Sequence, residues 1–216
     1  MVMPCGCCVV LLDVSSESWL KGNYGCGIVA YDCCMLGREV LRVFRVLRIL
    51  SDQYAENVCT CSTRGFEAFV DALLWGFSWK NHKYFEPSIR RSILESLDKS
   101  SLIIMASKSK FGHAADLLLD KLSQCTSLIL VTDSGREEVR CVNRLSSRAE
   151  KMGFHVSKHA KYTPFLMIAD YVAGLARYAI LWKLLAREMQ LRDYRDYRAA
   201  YNRLHKWLKG KVYEFT

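Results

Sequence analysis

With 216 residues, 51% of them hydrophobic and 25% charged, the chain can bury one full core and is too apolar to be an intrinsically disordered protein. Its net charge of +9 and pI near 9.1 favour polyanionic partners. The opening lacks a basic segment ahead of its short apolar run, which argues against a secretion signal. The longest apolar stretch, 165–186, is broken by Asp170, Arg177 and Lys183, which argues against a membrane span. A cytoplasmic protein is expected.

The apolar run from Cys8 to Asp13 reads as a first strand, and Tyr24-Gly-Cys-Gly-Ile-Val-Ala-Tyr31 as a second, whose glycines mark a bulge or a close backbone approach. The β-branched segment 39–48 is expected as a third antiparallel strand, although its apolar spacing also fits a helix. Ser62 or Thr63 caps a helix with an apolar stripe of Phe66, Phe69, Val70, Leu73 and Leu74, and Glu67 lies at the edge of that stripe. Pro87 opens a further helix to Leu97. Two strand–helix units follow, 102–105 with 111–122 and 128–131 with 137–152. Their alternation implies parallel neighbours joined by right-handed crossovers. Thr163-Pro164 introduces a long helix, 165–188, and a last helix spans 193–208. The expected organisation is a domain over 1–190 and a helical extension, 191–216, packed on it. The extension interleaves aromatics with cations, a pattern suited to stacking bases. Its Leu191, Tyr194, Tyr201, Leu204 and Leu208 keep helical spacing, which favours packing on the core or on a homodimer mate.

The ten cysteines include a C-x-x-C at Cys5-Gly-Cys7-Cys8 and a C-x-C at Cys59-Thr-Cys61. Burial as small hydrophobes is favoured over internal disulfides, and both over structural zinc, for which a second C-x-x-C is missing. The five histidines are scattered, without a ligand-like pair. His159 precedes the long helix in position to assist a water, but a surface role is its default.

Four carboxylates stand where the chain changes structure: Asp13, Glu67, Asp133 and Asp170. Acids at strand ends and on core-facing helix turns cost desolvation energy unless something neutralises them. Converging carboxylates suit hard ions such as Mg²⁺ or Mn²⁺ and do not suit zinc. Each acid also has an ordinary explanation. Asp13 can start a turn with Ser15 and Ser16, Glu67 can face solvent, and Asp133-Ser-Gly135 can cap the next helix. Asp170, set among Ile168, Val172 and Leu175, needs a partner, for which Lys161 or an arginine would serve.

This order of elements resembles the ribonuclease H-like superfamily. Asp13 matches its first-strand aspartate, Thr63-Arg-Gly-Phe-Glu67 looks like the segment carrying its helix glutamate, Val131-Thr-Asp133-Ser resembles its Thr-Asp-Ser strand end, and Ala169-Asp170-Tyr-Val-Ala-Gly resembles its closing helix motif. The closing motif is nearest to an uncharacterised family of domains that open with Asp-Glu-Ser-Gly, whereas this chain reads Asp13-Val-Ser-Ser-Glu17. The resemblance implies an α/β fold with a mixed sheet, an antiparallel three-strand meander followed by parallel strand–helix units, and a helical C-terminus. It also implies a nuclease with two Mg²⁺ or Mn²⁺ ions held by the four acids, Asp13 bridging them, and a nucleic acid as substrate. One departure stands out. In the superfamily the third acid ends the strand directly after the glutamate helix, but here 102–105 ends without an acid and Asp133 ends the following strand. Two further readings are a non-catalytic domain of the same fold that binds nucleic acid or protein, and a cysteine-rich scaffold stabilised by zinc or disulfides.

Overall fold

The computed structural model describes residues 6–16, 22–33, 95–160, 166–185, 201–202, 205–206 and 208–216. Among these residues six strands form one mixed sheet: β1 (Cys7–Ser15), β2 (Gly25–Asp32), β3 (Leu102–Ser107), β4 (Ser127–Thr132), β5 (His155–Ala160) and β6 (Val212–Phe215), in the order β5-β4-β1-β2-β3-β6. Strand β2 runs antiparallel to both β1 and β3, β4 is parallel to β1, β5 to β4, and β6 to β3. Helix α1 (Phe111–Lys121) joins β3 to β4 after a single 3-10 turn at Lys108–Lys110, α2 (Arg136–Lys151) joins β4 to β5, and α3 (Leu166–Leu185) follows β5.

The central strands are apolar without alternation because both their faces are covered. Val9 and Leu11 of β1 join Val29, Ile103, Met105, Ile129 and Val131 beneath Ala169, Val172, Leu175 and Ala176 of α3. Cys8, Val10 and Leu12 face the other way, into a second core with Ala114, Ala115 and Leu118 of α1 and Val142, Leu145 and Ala149 of α2. Two glycines of β2 allow a close contact between backbones. A Cβ on Gly27 would overlap the Ala169 carbonyl oxygen and the Ala173 amide nitrogen, and one on Gly25 would overlap the backbone of Arg177. The α3 backbone therefore rests directly on β2 at three successive turns, which is the close approach that the glycine spacing implies.

The α/β architecture and the parallel placement of β4 and β5 match the strand–helix alternation. The place of β3 does not. The run at 102–105 was expected to lie beside the next strand of its strand–helix unit; it runs parallel to β4 but sits beyond β2, pairing antiparallel with β2, from Gly25 opposite Ser107 to Ala30 opposite Leu102, and parallel with β6. A short apolar run has the same composition whichever strands flank it, so only the pairing reveals its place. The strand expected at 39–48 and the helix carrying Glu67 lie outside the described residues, and of the helix opened by Pro87 only residues 95–99 are described, as helical. Strands β5 and β6 carry no sequence signal of the kind used above. Among the described residues they are the two sheet edges, and β5 is mostly exposed, so its residues His155-Val-Ser-Lys-His-Ala160 need no apolar face. The segment set apart as a helical extension ends in β6. Tyr201 packs 6.2 Å from the Tyr178 ring of α3 and hydrogen-bonds Glu214, and Leu208 joins the α3 core, so these residues pack on the chain's own fold.

Disulfides join Cys7 to Cys33 and Cys8 to Cys125, with Cα separations of 5.7 and 6.4 Å. The first links β1 to the residue following β2, and the second ties the other face of β1 to the turn before β4. For these four cysteines the expectation of simple burial is corrected, because the strand ends bring them within bridging distance. Cys26 and Cys141 are buried free thiols. The remaining four, Cys5, Cys34, Cys59 and Cys61, lie outside the described residues. The bridges close loops of 26 and 117 residues in sequence separation, and constraining such loops in the unfolded chain is worth about 3–5 kcal/mol each. Dithiothreitol is accordingly expected to lower the melting temperature by 10 °C or more, on the order that such a loss implies. An unchanged melt, with every cysteine open to alkylation in the denatured chain, would remove the bridges.

Candidate functional site

The C-terminal ends of β1, β3 and β4 and the N-terminal end of β2 meet at one end of the sheet. Asp13 lies there, on the α3 side by alternation with Val9 and Leu11, and directly opposite Gly27. Because α3 sits on Gly27 through Ala169 and Ala173, its Asp170 is held beside Asp13, and the two carboxyl groups share a hydrogen bond. Asp13 has lost most of its water, and that burial is the main reason its pKa is pushed up from 3.8 to about 8. The charge of Asp170 adds to the rise, as do the shared hydrogen bond and the more distant Glu138, while the Val14 amide opposes it. Two touching carboxyls cannot both ionise freely, so one proton is held between them unless a cation takes its place.

Asp133 follows β4, whose Thr132 pairs with Leu12, so it stands on the strand end next to Asp13. The departure noted in the order of strands is explained by the sheet: β3 lies beyond β2, and the strand ending at Asp133 adjoins β1 itself. The Asp133 carboxylate accepts hydrogen bonds from the Ser134 amide at 2.7 Å and the Ser134 hydroxyl at 3.4 Å, a turn arrangement of the ordinary kind. One residue earlier, the fully buried hydroxyl of Thr132 has no hydrogen-bond partner among the described residues. Glu67 lies outside the described residues.

Glu138 is the acid that sequence reasoning missed. It occupies the third position of α2 and folds back over Gly135, the helix N-cap, where a Cβ would collide with its carboxylate. Burial, followed by the charges of Asp133 and Glu137, raises its pKa, while the amides at the start of its own helix lower it. Its signal, Gly135-Arg-Glu-Glu138, reads only as a helix start. Glu138 links Asp133 to Asp13 electrostatically, so the end of the sheet carries a continuous acidic field.

Behind Asp13, on the α2 side, Tyr24, Cys26 and Cys141 form a buried polar knot. The Tyr24 hydroxyl is 3.1 Å from the Cys141 sulfur, and the two thiols hydrogen-bond each other. Burial pushes the Cys26 thiol well up, whereas its hydrogen bond to Cys141 brings the Cys141 thiol down. His159 lies on the edge strand β5, 2.6 Å from the Ser157 hydroxyl, and partial burial lowers its pKa. Among the described residues no group of three or more His, Cys, Asp or Glu side chains is arranged to hold a metal ion, and no helix is long and apolar enough to cross a membrane. The donors at the Asp13–Asp170 pair are all carboxylate oxygens, which fit a hard divalent ion and not zinc. No protein-family model, curated protein or solved structure matches the chain.

Proposed function

We propose that the chain is a ribonuclease H-like domain that hydrolyses phosphodiester bonds with Mg²⁺ or Mn²⁺. The observation that carries this reading is the hydrogen-bonded Asp13–Asp170 pair, formed by a first-strand acid and a closing-helix acid at one end of a mixed sheet. The strand order supports it as well, with β1 flanked by an antiparallel β2 and a parallel β4 whose end carries Asp133. Bound divalent ions supply a water activated for attack and charge stabilisation on the leaving oxygen. Asp13 and Asp170 hold the ion, and Asp133 and Glu138 deepen the negative potential around it. The Ala169–Ala173 contact with Gly27 fixes the spacing of the pair. A cytoplasmic location belongs to the same reading. Intracellular disulfides persist in hyperthermophiles, and elsewhere such bridges mark an oxidising compartment.

Asp13→Asn and Asp170→Asn are each expected to reduce Mn²⁺-dependent cleavage of labelled oligonucleotides at least 100-fold, on the order of the loss when a catalytic ion is displaced. Both variants should retain the far-ultraviolet circular dichroism of the parent. Full activity in purified Asp13→Asn protein would sink the proposal. The engagement of Asp133 with Ser134 favours a second reading, a domain of the same fold that binds nucleic acid or protein without cleaving. Binding by the parent with no cleavage in either metal would select it.

A further inference from the structure

On the α2 side of the sheet, a groove of about 620 Å³ runs between the Lys108–Lys110 turn and α2, lined by Lys108, Ser109, Asn143, Arg144, Ser147 and Arg148. We propose that this groove holds the phosphodiester backbone of a nucleic acid and leads it to the carboxylate pair, an inference that rests on the nuclease reading of that pair.

Three features carry it. The first is donor chemistry: the wall presents three cations with hydroxyl and amide groups between them, the set that contacts phosphate and sugar oxygens. Arg148 is fixed by the Gly112 carbonyl at 2.6 Å and Asp116 at 2.7 Å, and Lys108 by the Gly22 carbonyl at 3.0 Å, so these two donors are preorganised. Arg144 is exposed and has no ion-pair partner among the described residues. The second feature is extent. Arg136, Arg140, Arg144 and Arg148 recur every fourth residue on the exposed face of α2. They span about 18 Å, the reach of about five phosphates of one strand, which is more than an isolated anion needs. The acids on this face, Glu137 and Asp116, are already engaged by Arg140 and Arg148.

The third feature is position. Lys108 directly follows Ser107, which pairs with Gly25, which in turn pairs with Ser15, two residues beyond Asp13. The groove therefore opens about two strand spacings along the sheet, roughly 10 Å, from the strand that bears Asp13, on the opposite face, so the path to the pair rounds the C-terminal ends of β1 and β3. The polar knot forms the wall between them: Lys108 lies 5.4 Å from the Tyr24 ring, Tyr24 touches Cys141, and Arg144 is one turn beyond Cys141 on α2.

The test is fluorescence anisotropy of the full chain with labelled DNA and RNA strands of about 20 nucleotides, a length that exceeds the groove. EDTA is present throughout, so binding is read without cleavage. Lys108→Glu combined with Arg144→Glu should weaken binding at least tenfold and reduce the slope of log affinity against log salt by about two. Arg144→Glu with Ser147→Glu, both at exposed positions, should act in the same direction if the first pair perturbs the fold. Unchanged affinity and salt slope in both charge-reversal variants would overturn the proposal. So would failure of the parent to bind at low salt, or displacement of the oligonucleotide by polyglutamate as effectively as by unlabelled strand, which would indicate an acidic protein partner. Loss of binding in the groove variants beside normal cleavage by Asp13→Asn would retire the nuclease site and leave the groove standing.

Discussion

Asp13→Asn is expected to stabilise the metal-free protein, by a margin that grows with pH, and to abolish its response to Mn²⁺. In the folded chain Asp13 keeps its proton to about pH 8, whereas the unfolded chain releases it near the ordinary value of 3.8. Between those limits the native state binds more protons than the unfolded state, so stability falls as pH rises. The loss proceeds at up to about 1.4 kcal/mol per pH unit and levels off above the folded pKa. The stability that the protonated acid contributes is thus fully present below pH 3.8 and is lost as pH climbs through 8. Asparagine has nothing to ionise, and its amide can still donate to Asp170. The variant should therefore match the parent near pH 4 and exceed it by several kcal/mol, on the order of the integrated slope, at pH 8.

Metal narrows the gap. A divalent ion at 100 times its dissociation constant stabilises the parent by about 2.7 kcal/mol, and more readily at pH 8 than at pH 6, because binding must displace the shared proton. The asparagine variant should gain none of this. Melts at pH 5 and pH 8, each in EDTA and in Mn²⁺, give the four conditions needed. A variant less stable than the parent at every pH would mean that Asp13 is an ordinary structural acid paired with a cation, and the metal reading would go with it.

What could be read from the residues alone follows how strongly each position is constrained. Asp13 and Asp170 were legible because each interrupts an apolar segment, and burying an acid there demands a reason. The glycines of β2 were legible because a strand interior without side chains signals close approach. The place of β3 in the sheet was not, since its apolar run fits beside any strand and the deciding partner, β2, is about 70 residues earlier in the chain. That one ambiguity also left the position of Asp133 open, which needed β4 beside β1 to become a neighbour of Asp13. Glu138 stayed hidden because a glutamate in the first turn of a helix is commonplace, and its reach toward Asp13 depends on how α2 packs against the sheet. The disulfide partners were equally out of reach, because connectivity among ten cysteines is set by the sheet register and not by spacing.

Gly27→Val is expected to cost about 3 kcal/mol or more and to uncouple the acid pair while leaving both acids in the chain. Judged by strand propensity alone, valine at this position should help, since β-branched residues suit a pleated sheet and glycine does not. Nor is backbone strain at issue, because Gly27 is not among the glycines with positive φ. The cost arises from what lies above it. The new Cβ would meet the Ala169 carbonyl and the Ala173 amide, backbone atoms of α3 that cannot rotate aside as a flexible side chain would. Helix α3 must lift, opening the core that Val172 and Ala176 share with Val9, Leu11 and Val29. Asp170 lifts with it, which returns water to Asp13 and removes the neighbouring charge, so the Asp13 carboxyl should titrate closer to its ordinary range. The variant should consequently lose the pH-dependent destabilisation and the Mn²⁺ response together, in the temperature range where circular dichroism still shows it folded. Gly112→Ala is the appropriate comparison, since its Cβ would touch only the Arg148 guanidinium, at 3.4 Å, an ordinary contact with the far end of a long side chain. That substitution should change the melt little and leave the metal response intact. A Gly27→Val protein as stable as its parent would show that α3 is not seated on β2, and the contact that brings Asp170 to Asp13 would then have to be abandoned.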